Sequence, residues 1–110
     1  WYFGKSLDDF TPIGPWIVTK DEFKNPPALP IRSYVNGELR QDSNTELMIN
    51  GIEKVICELT QGMTLQAGTI IAMGTPAGVG MGFEPPRFLN SGDVVTCEIE
   101  GIGTMTNKIK

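Results

Sequence analysis

The segment IRSYVNGELRQD, residues 31–42, decides the fold because it carries the clearest local signal in the chain. Apolar and polar residues alternate in both halves of the segment, which is typical of half-buried β-strands. The two halves flank Asn36-Gly37, a dipeptide that favours a type I′ turn because both central residues need a positive φ. The segment therefore predicts paired antiparallel strands over Ile31–Val35 and Glu38–Gln41.

One amphipathic helix is predicted directly after this hairpin. The tetrapeptide Ser43-Asn44-Thr45-Glu46 has the pattern of a capping box, in which the Ser43 hydroxyl and the Glu46 carboxylate satisfy unpaired backbone N–H groups. Apolar residues then recur at helical spacing, at Met48, Ile52, Val55, Ile56 and Leu59. Because glycine suits a left-handed cap, Gln61-Gly62 is predicted to end the helix. We expect about four turns, with the apolar stripe packed in the core.

The other segments are short and are separated by turns rich in glycine and proline. Their patterns predict further strands over residues 16–19, 69–73, 94–100 and 104–110. Prolines exclude regular structure from residues 25–30 and 84–87. Many short strands with one long helix indicate an α+β, β-rich fold and not alternating βαβ units. A length of 110 residues suits a single domain.

Composition excludes several classes of function. The net charge of −4 argues against nucleic acid or an anionic membrane as a partner. No apolar run approaches the roughly 20 residues that span a bilayer. The chain has no histidine, which removes Ser/His and Cys/His nucleophile pairs and most zinc sites. The two cysteines, Cys57 and Cys97, are predicted to be reduced and buried.

The candidate site centres on the glycine-rich loop of TIIAMGTPAGVGMG, residues 69–82. An apolar run leads into a turn with few side chains, so another group can approach its backbone closely. Thr75 offers both a hydroxyl and an N–H to a polar ligand. The glycine spacing is not that of a dinucleotide-binding loop, and the residues after Gly82 cannot open the helix that such a loop requires. The alternative is that these glycines serve only tight turns.

Lys5 is the second candidate. A lysine is most often a solvated surface group. The aromatic residues before it and the acids Asp8 and Asp9 after it also allow a partly buried, paired lysine. Such a group could stabilise a developing oxyanion or enolate. The acids are scattered, and no pair has a spacing that by itself implies a metal site.

Taken together, the motifs resemble the fumarylacetoacetate hydrolase family. The similar segments occur in family order and cover nearly the whole chain: residues 4–8, 12–19, 35–41, 44–45, 74–80, 89–93 and 99–103. The resemblance implies a mixed β-roll with one main amphipathic helix. It also implies that residues 1–110 form the C-terminal part of a single catalytic domain whose N-terminal part is absent from this chain.

The resemblance also implies a chemistry and a set of site residues. Members of the family cleave or rearrange C–C bonds in β-diketo and 2-oxo acids with Mg²⁺ or Mn²⁺. By position, Lys5 is similar to the family lysine that assists at the oxyanion. Gly74 and Thr75 are similar to the residues that hold the substrate carboxylate or oxo group. The family's metal ligands, a Glu-x-Glu pair and an aspartate, are expected upstream of this chain, and none is assigned within it.

We therefore expect a divalent-metal-dependent hydrolase of an acylpyruvate-like C–C bond. The alternatives within the family are an isomerase or a decarboxylase of a 2-oxo or hydroxy-diene diacid. The alternative from another class is a non-catalytic β-rich fragment or binding module, and the isolated chain is expected to be inactive. The expected partners are a small 2-oxo acid and a second copy in a homodimer. The expected location is cytoplasmic, with mitochondria as the alternative.

Overall fold

The structure, a computed structural model, describes residues 2–110 and consists mainly of one four-stranded antiparallel sheet. The strands are β1 (Pro30–Val35), β2 (Glu38–Asn44), β3 (Val94–Ile99) and β4 (Gly103–Lys108), in the spatial order β2-β1-β3-β4. The helices are α1 (Tyr2–Lys5), α2 (Ile52–Leu59) and two short 3₁₀ helices, Thr45–Leu47 and Gly80–Gly82. The predicted α+β, β-rich class is confirmed.

The β1–β2 hairpin forms around the predicted turn, but β1 begins one residue earlier than predicted, at Pro30, and β2 continues three residues past Gln41, to Asn44. Asn36 and Gly37 have φ values of 51° and 81°, as a type I′ turn requires. The pairing register shifts within the hairpin, since Ser33 faces Gln41 whereas Tyr34 faces Leu39. This β-bulge leaves Arg40 as the extra residue of β2.

The sheet has one polar face and one apolar face, because side chains alternate along each strand. On the polar face, Arg32 forms ion pairs with Asp42 at 3.1 Å and Glu98 at 3.5 Å. The opposite face carries a set of aligned apolar residues that we call the apolar face: Ile31, Val35, Val95, Cys97, Ile99 and Met105. The apolar face is therefore the side of the sheet that is suited to a hydrophobic core.

Part of the apolar face is covered by the segment before β1. A Cβ atom on Gly14 would lie 3.6 Å from the Met105 sulfur, and one on Gly103 would lie 3.2 Å from Pro15 and Trp16. This cover is partial. Among the described residues no side chain is fully buried, and Ile17 and Ile49 are 86% and 98% exposed. These residues alone therefore do not close a hydrophobic core.

Two predicted strands, over residues 16–19 and 69–73, are absent, and these segments are irregular. A strand needs a neighbour that satisfies its backbone N–H and C=O groups. The four strands of the described residues pair only with one another, so these two apolar runs have no partner strand within that part of the chain.

The helix is shorter than predicted and begins later. Ser43 belongs to β2, where it pairs with Ile31, and the Asn44 side chain caps the first 3₁₀ helix by accepting from the Glu46 N–H. The prediction of a Ser43–Glu46 capping box and a four-turn helix was wrong. Helix α2 spans eight residues after Gly51. It ends where the Thr60 hydroxyl donates to the Ile56 carbonyl at 2.8 Å, before the predicted Gly62 cap.

The prediction of buried cysteines was also wrong, because both Cys57 and Cys97 are exposed free thiols. Cys97 lies on the apolar face, where partial burial raises the pKa of its thiol above the usual value. No helix in residues 2–110 is both long enough and apolar enough to cross a bilayer.

Candidate functional site

The glycine-rich loop docks against β2 through the side chain of Gln41. The Gln41 amide nitrogen donates to the Thr75 hydroxyl at 2.8 Å and to the Pro76 carbonyl at 2.9 Å. The Ser33 hydroxyl donates to the amide oxygen of Gln41 at 2.8 Å from the neighbouring strand. These three hydrogen bonds connect two strands to Thr75, so the sheet determines where the loop lies.

Two glycines allow the loop to approach the rest of the backbone closely. Gly78 has a φ of 101°, and a Cβ atom there would overlap the carbonyl oxygen of Arg40. A Cβ atom on Gly80 would overlap the carbonyl oxygen of Arg87, while the Arg87 N–H donates to the Gly80 carbonyl at 2.8 Å. The close approach at these positions is therefore between segments of this chain, which gives both glycines a packing role.

A cluster of aromatic and charged side chains fastens the segment after this loop to the hairpin. The guanidinium groups of Arg40 and Arg87 lie 5.2 Å and 4.9 Å from the centre of the Phe83 ring. Glu38 pairs with Arg87 at 2.8 Å and with Arg40 at 3.6 Å. The Nε atom of Arg40 is buried without a hydrogen-bond partner. An open groove of about 610 Å³ lies beside the cluster, and Asn90 is one of the residues that line it.

We expect Phe83→Leu to lower the free energy of unfolding by about 1–2 kcal/mol, because it removes two cation–π contacts worth roughly 0.5–1 kcal/mol each at exposed sites. Denaturant unfolding of the full-length protein measures this loss. Phe88→Leu is the matched control, since Phe88 is 68% exposed and makes no cation–π contact in the described structure. Equal effects of the two substitutions would contradict a role of the cluster in stability.

Asp93 connects the hairpin turn to β3. One carboxylate oxygen accepts from the Asn36 side chain at 2.8 Å, and the other accepts from the Asn90 N–H at 2.8 Å. Asn36 in turn accepts from the Val94 N–H at 2.9 Å. The hydrogen bond from Asn36 and then that from Asn90 lower the pKa of the Asp93 carboxyl below its usual value. The ionised form of Asp93 therefore stabilises the folded state relative to the unfolded state.

The lowered pKa of Asp93 makes its stabilising effect dependent on pH. This effect should be complete above the unfolded-state pKa, about 3.9, and should be lost as the pH falls through the lower pKa of the folded state. We expect Asp93→Asn to be less stable than wild type at pH 7 and the difference to shrink on acidification toward pH 3. Unfolding measured across that range tests this expectation, and a difference that is independent of pH would contradict it.

The structure places Lys5 at the end of α1, where it is exposed. Its backbone carbonyl accepts a hydrogen bond from the Thr11 hydroxyl. The predicted pairing with neighbouring acids is not seen, because Asp9 instead pairs with Lys110 at 2.9 Å. Within residues 2–110, no hydrogen bond connects Lys5 to Thr75. The structure thus brings Thr75 and Gln41 together but not Lys5 and Thr75.

The described residues do not fit a complete divalent-cation site. No three acidic or cysteine side chains among residues 2–110 come close enough together to hold a metal ion. Several carboxylates are engaged elsewhere: Asp42 and Glu98 with Arg32, Glu38 with Arg87, and Asp93 with Asn36.

Sequence reasoning missed Gln41 and Ser33 as neighbours of the site. Gln41 is separated from Thr75 by 34 residues, and a polar residue in an alternating strand is normally read as solvent-facing. One signal was available, because Ser33 and Gln41 fall on the same side of the hairpin as apolar residues such as Ile31. Polar side chains on an apolar face need partners, which here are each other and the loop.

Comparison with known proteins gives a consistent assignment. The family model described as fumarylacetoacetate (FAA) hydrolase C-terminal matches residues 1–110. The chain is 50% identical over 108 residues to oxaloacetate tautomerase YisK of Bacillus subtilis, covering 98% of this chain and 36% of that protein. It is 49% identical over 109 residues to the mitochondrial oxaloacetate tautomerase FAHD2B of Bos taurus, covering 99% and 35%.

Two solved structures are similar as well. A fumarylacetoacetate hydrolase from Exiguobacterium antarcticum is 51% identical with a TM-score of 0.93, covering 98% of this chain and 39% of that one. A maleylpyruvate hydrolase from Sphingobium sp. SYK-6, in complex with manganese(II) and pyruvate, is 39% identical with a TM-score of 0.84, covering 97% and 38%. The chain belongs to the fumarylacetoacetate hydrolase family, as the sequence predicted, and spans about a third of the length of the curated relatives it matches.

Proposed function

We propose that the full-length protein is an enzyme that acts on a small 2-oxo acid and that its leading activity is keto–enol tautomerisation of oxaloacetate. The observation that carries this proposal is the 50% identity to a protein named oxaloacetate tautomerase, which extends over 98% of this chain. The dicarboxylate substrate also suits a loop that offers hydrogen-bond donors at its mouth.

We assign two roles to residues of this chain, both taken from the family resemblance. Thr75 binds a substrate carboxylate or oxo oxygen through its hydroxyl, together with the backbone at Gly74. Lys5 stabilises the negative charge that develops on the 2-oxo oxygen when a proton leaves the adjacent carbon, because a cationic group aimed at developing charge lowers the barrier. Enol formation moves a proton from carbon to oxygen and the reverse reaction moves it from oxygen to carbon, so the reaction is balanced in both directions without a further reactant.

We infer that the full-length protein also requires a divalent cation, Mg²⁺ or Mn²⁺, held by residues outside the part of the chain described here. The manganese ion and pyruvate named in the maleylpyruvate hydrolase structure support this inference. A cation of this kind supplies Lewis-acid chemistry toward a 2-oxo acid.

C–C bond hydrolysis of an acylpyruvate-like substrate is the second candidate activity. It is supported by the likeness to maleylpyruvate hydrolase, at 39% identity and a TM-score of 0.84. Tautomerisation and hydrolysis both need stabilisation of an enolate-like oxygen, so the roles of Lys5 and Thr75 are common to them. Isomerisation or decarboxylation of a related diacid remains the further alternative.

The experiment that tests the proposal is an assay of the full-length protein with oxaloacetate and with maleylpyruvate, each with Mg²⁺, with Mn²⁺ and with EDTA. We expect the enol form of oxaloacetate to disappear faster than in buffer, with a requirement for one of the cations. Faster turnover of maleylpyruvate would favour the hydrolase. Rates no higher than buffer for every combination would favour the alternative of a non-catalytic module.

The organisation of the whole protein is part of the proposal. We propose that residues 1–110 are the C-terminal part of one catalytic domain, because the described residues cover the apolar face of their sheet only in part and bury no side chain fully. We further propose a homodimer, which size-exclusion chromatography with light scattering would test. A cytoplasmic location is the leading assignment, and imaging of the tagged protein would distinguish it from the mitochondrial location in the name of the bovine relative.

A further inference from the structure

We propose that Gln41, itself held by Ser33, is a positioning residue that makes the Thr75 hydroxyl a hydrogen-bond donor toward the substrate. The inference rests on the proposed function, because it concerns the same substrate contact. What is new is that the Gln41 amide orients the Thr75 hydroxyl and that this hydroxyl binds a hydrogen-bond acceptor of the substrate.

The direction of each hydrogen bond follows from the chemistry of the partners. The Pro76 carbonyl can only accept, so the Gln41 atom 2.9 Å from it must be the amide nitrogen, a donor. The same nitrogen therefore donates to the Thr75 hydroxyl at 2.8 Å. The amide oxygen is then left to accept from the Ser33 hydroxyl at 2.8 Å. The contact with the Pro76 carbonyl thus identifies the donor end of the Gln41 amide, and with it the direction of all three hydrogen bonds.

This orientation has a consequence at Thr75. Its hydroxyl oxygen already accepts a hydrogen bond from Gln41, so its single proton remains for a different partner. A carboxylate or 2-oxo oxygen is a suitable partner, since it can only accept. If Gln41 were replaced by a residue that accepts, the Thr75 proton would turn back toward that residue. Gln41 thus favours an acceptor as the ligand atom at the Thr75 hydroxyl.

The test uses steady-state kinetics of the full-length protein with the 2-oxo acid that it converts fastest among those named above. We expect Gln41→Met, similar in size but unable to hydrogen bond, to raise KM by about three- to tenfold, the loss of one oriented hydrogen bond, with a smaller change in kcat. Thr75→Val should raise KM at least as much. The double substitution of Gln41→Met with Thr75→Val should give the same KM as Thr75→Val alone, because Gln41 then has no hydroxyl to orient.

A pH profile separates orientation from mere packing. An ionised carboxylate at position 41 only accepts, whereas a protonated carboxyl can donate to the Thr75 hydroxyl. We therefore expect Gln41→Glu to raise KM at pH 7–8. Its KM should fall back toward the wild-type value as the pH falls through the pKa of the introduced carboxyl. The KM of Gln41→Met divided by that of wild type should stay constant over the same pH range. Gln66→Glu is the charge control, because Gln66 is exposed in the turn before the loop.

Each outcome decides one proposal. A raised KM for Thr75→Val with normal KM for both Gln41 variants would overturn the positioning role and leave the proposed function intact. A normal KM for Thr75→Val would overturn the proposed substrate contact, and the positioning role with it. Should the Gln41 variants unfold, Ser33→Ala keeps the amide but removes its anchor, and a KM at the wild-type level in that variant would overturn the inference.

Discussion

Lys5→Met in the full-length protein is expected to lower kcat by about 10²- to 10³-fold, the usual loss when one group that stabilises a developing oxyanion is removed. The substitution keeps an unbranched apolar side chain of nearly the same length and removes the ammonium group with its charge and its hydrogen-bond donors. Steady-state turnover of the 2-oxo acid measures the effect, since the proposed role concerns negative charge that develops during the reaction.

The surroundings of Lys5 allow an effect of this substitution on catalysis to be separated from an effect on stability. Lys5 is exposed at the end of α1, and no ion pair in the described structure involves it. Removing its charge therefore breaks no salt bridge, and the thermal unfolding midpoint should stay within about 1 °C of wild type, as for a surface substitution. A large loss of kcat with an unchanged midpoint would separate catalysis from folding.

Lys20→Met is the matched control, because Lys20 is also exposed and lies outside the candidate site. We expect its kcat to equal that of wild type. Lys5→Arg should retain part of the activity, since it keeps the charge but spreads it over a larger planar group. Wild-type turnover in Lys5→Met would remove Lys5 from the mechanism and leave the Thr75 hydroxyl as the proposed contact from this chain.

Local sequence was sufficient for the parts of the fold that are built from neighbouring residues. The β1–β2 hairpin could be predicted because Asn36-Gly37 specifies its turn, and the β3–β4 pair because alternation and a glycine turn occur together. The family could also be predicted, because its short motifs recur in order along the whole chain. None of these inferences needs a contact between distant segments.

The wrong predictions share one physical cause. The pattern of residues in a segment does not show whether another segment lies beside it to pair with its backbone or cover its side chains. The apolar run at residues 69–73 has the composition of a strand, but no strand among residues 2–110 lies beside it to accept its hydrogen bonds. Ser43 has the pattern of a helix cap, but pairing with Ile31 extends β2 through it. Cys97 is exposed because the described part of the chain covers its side of the sheet only in part.

The candidate site divides in the same way. Thr75 could be selected because a hydroxyl in a glycine-rich turn is visible in the sequence. Gln41 was missed, because its place on the apolar side of the hairpin indicates that it needs a partner but not that the partner is Thr75, 34 residues away. The role of Lys5 rests on the family resemblance, since the described structure gives its side chain no partner. Gly78 falls between these cases, because the sequence indicates close approach but not which group approaches.

Gly78→Ala is expected to lower the free energy of unfolding of the full-length protein by about 3 kcal/mol or more, the second large effect. Two penalties combine at this position. The φ of 101° is rarely adopted by residues with a side chain, and the added Cβ would overlap the carbonyl oxygen of Arg40, a backbone atom that cannot rotate away. The loop must therefore leave β2, which also breaks the bonds from Gln41 to Thr75 and Pro76.

Two other glycines of the loop separate these penalties. Gly80 has an ordinary φ, but a Cβ atom there would overlap the Arg87 carbonyl oxygen. Gly80→Ala therefore tests steric overlap alone and should lower the free energy of unfolding by less than Gly78→Ala. Gly82→Ala also has an ordinary φ, and its Cβ would lie 3.7 Å from Val79, an ordinary contact, so its effect should stay within about 0.5 kcal/mol. Urea unfolding of the three variants should follow that order. Equal stabilities would mean that the loop is not docked against β2, and the positioning of Thr75 by Gln41 would then lose its structural basis.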